Sequence, residues 1–202
     1  MVIYSKYTHA VDLQELHEQI RNCTKCPLHR HRKNAVPGEG SMKLGVMLVG
    51  EAPGAVEDEQ GRPFVGSAGQ LLTKSLSQLG VRREDVFITN VVKCRPPENR
   101  TPREDEVEAC MPYLLKQIEI LKPRRVVALG LVSAGALLRH MGRGVERLSD
   151  VRGRCFKGRI AGVELEVCVT YHPAAVLRNP KLRGEFQSDL AVFFGGGLER
   201  YF

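Results

Sequence analysis

Four cysteines carry the most pointed chemistry in this 202-residue chain: Cys23 and Cys26 as a C-x-x-C pair, then Cys94 and Cys110 far downstream. Four thiolates at these spacings can close a tetrahedral zinc site or ligate an iron–sulfur cubane, and spacing alone does not choose between the two. Six cysteines in a chain that opens without a secretory leader pattern point to metal or catalysis rather than to a disulfide framework. Cys155 and Cys168 lie in a Val/Arg-rich stretch beside two expected strands. They are read as small buried hydrophobes, with a disulfide between them left open should the source be a hyperthermophile.

Three further stretches hold groups suited to a reactive site. GEAPG (50–54) sets Glu51 where the chain leaves an apolar run, and the acidic residues Glu57, Asp58 and Glu59 follow closely in an otherwise basic protein. Gly permits a tight turn there and Pro53 fixes the backbone, so that neighbouring amides can face a ligand. GRPFVGSAG (61–69) places Phe64 between a proline and two glycines, where an aromatic ring either stacks on a planar ligand or plugs the core under the loop. Asn90, in ITNVVK, is a carboxamide inside an apolar strand and needs partners from the protein or from a ligand. Such an amide matches the O4 and N3–H edge of uracil, or cytosine when rotated by 180°, so discrimination requires neighbours that fix its orientation. His172 precedes a proline in YHPAAVLRNP, where Val176 and Leu177 stand beside the cation Arg178. Exposed aliphatics next to a cation suit a wedge entering a base stack, and the same residues would equally anchor a loop into the core.

The elements that must position these groups follow from hydrophobic period and breakers. LGVMLVG (44–50), VFITNVV (86–92), RVVALG (125–130) and VELEVCVTYHP (163–173) read as four buried strands. Helices are expected over residues 10–21, from Ser67 (as N-cap) to about Leu79, and from Pro102 or Arg103 to about Leu121 with Thr101 as N-cap. Two more are expected over LVSAGALLRHMG, closing on Gly142, and from about Arg183 to Phe194. The stretches 27–43, EAPGAVEDEQGRPFVG and CRPPENRTP read as loops, and 145–162 as irregular or short-stranded. Strands alternating with helices predict an α/β fold: a three-layer α/β/α sandwich around a mostly parallel four-stranded sheet, in a single domain over 1–202. In such sheets ligands bind beyond the carboxyl ends of the strands, which would bring Glu51, Asn90 and His172 to one edge.

Composition narrows the setting. Hydrophobic residues at 43% and charged residues at 26% are ordinary for a globular protein, and no apolar run approaches a membrane span. The expected location is cytoplasmic. A net charge of +7, with clusters at 30–33, 122–125 and 152–159, favours a polyanionic partner.

With these motifs in order, the sequence resembles the family 4 uracil-DNA glycosylases, the iron–sulfur branch of the uracil-DNA glycosylase superfamily found in thermophilic bacteria and archaea. The likeness runs through Cys23-x2-Cys26, GEAPG, GRPFVGSAG, TNVVKCRPPENRTP, Cys110 and HPAAVLR, nearly the whole chain. The resemblance implies a [4Fe–4S] cluster on Cys23, Cys26, Cys94 and Cys110, with a structural role near the DNA-binding face. It implies a uracil pocket of Glu51, Ala52 and Pro53, with Phe64 stacking on the base, Asn90 reading N3 and O4, and His172 donating to O2. HPAAVLR, with Val176, Leu177 and Arg178, would enter the DNA stack. Two departures from other branches matter. Ala52 stands where the best-known branch carries the Asp that handles water, and CRPPENRTP stands where another branch carries a His-containing insertion that captures the sugar.

The resulting expectation is a DNA-repair enzyme for base excision that flips out deoxyuridine and hydrolyses its N-glycosidic bond, leaving an abasic site. Glu51 and Glu57 are rival candidates for handling water, and Glu57 could instead crowd C5 and exclude thymine. A zinc-stabilised nucleic-acid-binding module without catalysis, and a glycosylase for other deaminated bases such as hypoxanthine, are the competing readings. The partner expected is uracil-containing DNA, met by a nucleoid-associated monomer. A sliding-clamp contact through the aromatic tail Leu198 to Phe202 is weighed against a frayed end.

Overall fold

A computed structural model describes residues 3–195 of the chain. Its core is a six-stranded sheet built from β1 (Glu39–Gly40), β2 (Val46–Gly50), β3 (Phe87–Asn90), β4 (Arg125–Leu129), β5 (Cys155–Ile160) and β6 (Val163–Thr170). The spatial order is β1-β3-β2-β4-β6-β5. The four expected strands are the inner, mutually parallel ones, and an antiparallel strand closes each margin. The four-stranded expectation is therefore corrected to six. β1 is too short to show a period, and β5 alternates exposed and half-buried residues within a stretch that lacks an apolar run.

Alternation along the inner strands builds two cores. Met47 and Val49 face one side with Val126, Ala128, Val167 and Val169, while Val46 and Leu48 face the other with Ile88, Val127 and Leu129. The first side is covered by α1 (Ile3–Arg21), α4 (Glu104–Leu121) and α5 (Leu131–Arg139) through Ile20, Leu114, Ile118 and Leu137. A short helix α2 (Ala55–Gln60) lies in the loop after β2. The second side is covered by α3 (Ser67–Gln78), α6 (Pro173–Arg178) and α7 (Arg183–Gly195) through Leu72, Leu76, Val176, Phe186 and Leu190. These are the three layers expected.

Local details differ from the sequence expectations in instructive ways. The N-cap of α3 is Gly66 rather than Ser67, and that of α4 is Arg103 rather than Thr101. In α4 the carboxylate of Glu106 reaches back to the Arg103 N–H (2.8 Å), which fixes the N-cap two residues later than expected. HPAAVLR is not an open loop but the helix α6, because His172 caps it and Pro173 occupies its first position. Cys155 and Cys168 are register partners on β5 and β6 and form a disulfide. Cys168 is buried as expected. Cys155 is exposed at the sheet margin, which corrects its reading as a buried hydrophobe. No helix among the described residues is long and apolar enough to cross a membrane. The Leu198 to Phe202 tail lies outside the described residues.

Candidate active site

The carboxyl ends of β2, β3 and β6 converge on a cleft of about 300 Å³ whose walls include Glu51, Ala52, Pro53, Glu57, Phe64, Asn90, His172 and Arg178. Register explains the convergence. Gly50 and Asn90 are paired in the parallel ladder, and the Val91 and Val92 N–H groups continue it onto the carbonyls of Gly50 and Glu51, both at 3.0 Å. Glu51 is thereby set at the cleft floor by its backbone, independently of its side chain.

Asn90 is 1% exposed, and its Oδ1 is the one buried side-chain oxygen among the described residues without a hydrogen-bond partner. A buried acceptor left alone costs about 1–3 kcal/mol, so it marks a position completed by something other than the protein. No neighbour fixes the flip of its amide, contrary to the requirement anticipated from the sequence. His172 is half-buried, and its Nδ1 accepts from the Ala174 N–H at 3.1 Å. That bond assigns the ring proton of the neutral form to Nε2. Desolvation, helped by the Arg178 charge and opposed by Glu57, lowers the His172 pKa to about 4, so the imidazole is a neutral donor near pH 7. The Phe64 ring is buried against it, with centroids 5.6 Å apart.

The two rival carboxylates do different work. Glu57 Oε1 accepts from the Val65 and Gly66 N–H groups at 3.0 and 2.8 Å, and Oε2 accepts from the Gly54 N–H at 3.2 Å. It cross-links the two loops of the cleft and has little acceptor capacity left for water. The Glu51 carboxylate, unlike its backbone carbonyl, accepts no hydrogen bond from any described residue. Burial raises its carboxyl above the usual range, and Arg178 pulls in the opposite direction.

Cys23, Cys26, Cys94 and Cys110 form no disulfide and line one small apolar cavity between α1, the loop after β3 and α4. Three sulfurs receive N–H groups: Cys94 from Arg32 Nη1 (3.1 Å), Cys110 from the Lys93 amide (3.3 Å) and Cys23 from the Lys25 amide (3.5 Å). No group of three His, Cys, Asp or Glu side chains among the described residues is close enough to hold a single metal ion. Burial pushes the Cys110 thiol up to about 12, against the opposing Lys93 charge and amide.

Residues 37–192 match the family profile of the uracil-DNA glycosylase superfamily. A type-4 uracil-DNA glycosylase of Pyrobaculum aerophilum is 74% identical over 191 residues, covering 95% of this chain and 97% of its own. The type-4 enzymes of Saccharolobus solfataricus and Sulfurisphaera tokodaii are each 49% identical, over 88% of this chain and 83% and 81% of theirs. The chain belongs to the type-4 branch of the uracil-DNA glycosylase superfamily.

For this type-4 chain, the sequence-derived residues divide cleanly. Glu51, Ala52, Pro53, Glu57, Phe64, Asn90, His172 and Arg178 share the cleft. Val176 does not fit the expected exposed wedge: it is fully buried in the second core, because α6 turns it inward. Leu177 is 41% exposed and Arg178 is exposed beside it. Three functional neighbours went unread. Arg100 lines the cleft and is held by the fully buried Glu106 through two bonds of 2.7 and 2.8 Å. Arg83 braces the Phe64 loop from behind. Lys93 is 1% exposed and donates to Thr89 Oγ1 (2.6 Å), the Asn90 carbonyl (2.7 Å) and Gln117 Oε1 (2.7 Å). Its signal was available: a lysine inside the apolar run VVKC.

Proposed function

We propose that this chain, acting as a single monomeric domain, is a monofunctional uracil-DNA glycosylase that hydrolyses the N-glycosidic bond of deoxyuridine extruded from DNA. The observation that carries this reading is the partnerless buried Oδ1 of Asn90, across the same cleft from a neutral imidazole whose Nε2 carries the proton. Uracil offers an N3–H donor and an O4 acceptor to the carboxamide and an O2 acceptor to the imidazole. With no hydrogen bond holding it, the Asn90 amide can offer N–H to O4 and C=O to N3–H, and the cytosine anion, the more basic leaving group, departs less readily. Relatives across archaea that carry the type-4 name support the substrate.

The C1′–N1 bond breaks with its electron pair moving to uracil; water then adds to C1′ and gives up a proton, balanced by the proton the uracil anion takes up to leave as neutral uracil. Donors already in place where negative charge builds on the base accelerate departure without reorganisation. His172 serves O2 and Asn90 serves O4. Glu51, the cleft carboxylate without a hydrogen-bonded partner, orients the water and faces the cationic sugar. Phe64 covers the base, Leu177 and Arg178 meet the DNA strand at the mouth, and Glu57 holds the walls.

Cys23, Cys26, Cys94 and Cys110, four soft sulfur donors around one small apolar cavity, would hold the [4Fe–4S] cluster that the type-4 likeness implies. Bound there, the cluster would supply a cross-link between α1, the loop after β3 and α4. The setting is the interior of a cell, on nucleoid DNA.

The decisive assay incubates pure protein with uracil-containing single- and double-stranded oligonucleotides and then with alkali. Strand scission at uracil alone is the expected result, and intact strands would remove the reading. A brown colour with broad visible absorbance, lost on oxidation, tests the cluster separately.

A further inference from the structure

Phe64 adopts φ = 51°, a left-handed conformation that bulky side chains rarely take. Such a backbone persists only where its surroundings impose it. Two features do so here. A Cβ at Gly69 would overlap the Phe64 carbonyl, so the glycine in the first turn of α3 lets the loop lie against the helix. The second feature is Arg83, in the turn between α3 and β3, whose fork spends every arm on this loop and its support. Nη1 donates to the Phe64 carbonyl (2.8 Å) and to Thr73 Oγ1 (3.3 Å), and Nη2 donates to the Pro63 carbonyl. Nε and Nη2 grip Glu39 Oε1 on the marginal strand β1 at 3.2 and 2.9 Å, and Glu39 is also held by Arg62. The Arg83 side chain is 16% exposed, so little water competes for these bonds.

We propose that Arg83 is a positioning residue for base recognition: it pins the carbonyls of Pro63 and Phe64 and so presents the Phe64 ring beside His172. Glu39 orients Arg83 in turn. A lysine in its place reaches one carbonyl at a time and lacks the planar fork that matches two adjacent acceptors. The inference rests on the reading of Phe64 as the surface that covers uracil. It adds a path from the sheet margin to the cleft that no cleft-lining residue reveals.

The test is a double-mutant cycle on R83A and F64A, read as kcat/KM on uracil-containing DNA and as inhibition by free uracil. Loss of a stacking contact predicts a fall of about tenfold or more for F64A. R83A should lose a similar factor in both readouts while binding abasic-site DNA as the unmodified protein does. In the F64A background R83A should cost almost nothing further, and Arg83→Lys should recover only part of the loss. A merely structural arginine would give losses that multiply, and that result overturns the proposal. Normal activity of F64A would instead overturn the reading of Phe64, whatever Arg83 does. Should R83A fail to fold, Glu39→Gln, which loosens the grip on the guanidinium, replaces it in the cycle with the same expected non-additivity.

Discussion

Gly50 and Asn90 face each other across the parallel ladder between β2 and β3, and a Cβ on the glycine would occupy the space of the Asn90 carboxamide oxygen and the tip of Phe64. The bare backbone at that point is what lets a carboxamide and an aromatic ring share one end of the sheet. Gly50→Ala should therefore fold with a destabilisation of about 1–3 kcal/mol. It should cleave uracil-containing DNA at least about 100-fold more slowly, at about 1.4 kcal/mol per factor of ten. Denaturant unfolding and single-turnover kinetics on the same preparation measure both.

Asn90 separates function from stability. Its Oδ1 is buried without a partner, so the folded protein carries that desolvation cost until a ligand arrives. Asn90→Ala should abolish most excision while leaving the denaturation midpoint unchanged or higher. A matched loss of stability and activity would show the residue to be an ordinary core support.

The two carboxylates should respond oppositely to amidation. Glu57→Gln puts an NH2 group against backbone N–H donors of Gly54, Val65 and Gly66 and should destabilise by about 1–3 kcal/mol. Glu51→Gln removes a charge that burial disfavours, so stability should hold or rise slightly while the rate of cleavage falls. Thermal melts paired with single-turnover rates distinguish the two.

His172 sets a pH signature. Its pKa falls from 6.5 unfolded to about 4 folded, so below pH 6.5 the unfolded chain takes up a proton that the folded one refuses. Stability should decline from about pH 6.5 to about pH 4, by up to about 3 kcal/mol from this group, and then level off. His17, lowered likewise to about 4 by desolvation and then by Lys93 and Arg21, adds to the same slope. Activity should show no inflection near 6.5, because the donor stays neutral there. His172→Gln should flatten part of the stability slope in urea titrations.

The fully buried Glu106 holds Arg100 at the cleft wall and caps α4. Glu106→Ala leaves the Arg103 N–H without its cap and releases the partly exposed Arg100, and should cost about 1–3 kcal/mol. Calorimetric unfolding checks it.

What could be read in the chain was set by range. Apolar runs such as LGVMLVG and VFITNVV declare buried parallel strands because burial on both faces removes alternation, and the strand-end rule then brought Glu51, Asn90 and His172 together. β5 falls in the stretch 145–162, read only as irregular or short-stranded, because a half-exposed margin strand has no apolar run to fix its bounds. Val176 misled because a stretch after a strand reads as loop until the His172 cap shows that it is helix. The bonds of Glu57 to Val65 and Gly66 could not be read, because those partners lie beyond a turn that no periodicity reports. Arg83 was silent for the same reason: its bonds depend on the path of the loop.

Both rims of the sheet are finished against strangers. One ends in a two-residue strand, and the other carries Lys157 and Arg159 outward on a strand tied to its neighbour by Cys155–Cys168. Neither offers a long, flat, uncharged template for docking another chain's backbone. A protein so edged should withstand heat and crowding without seeding fibrils.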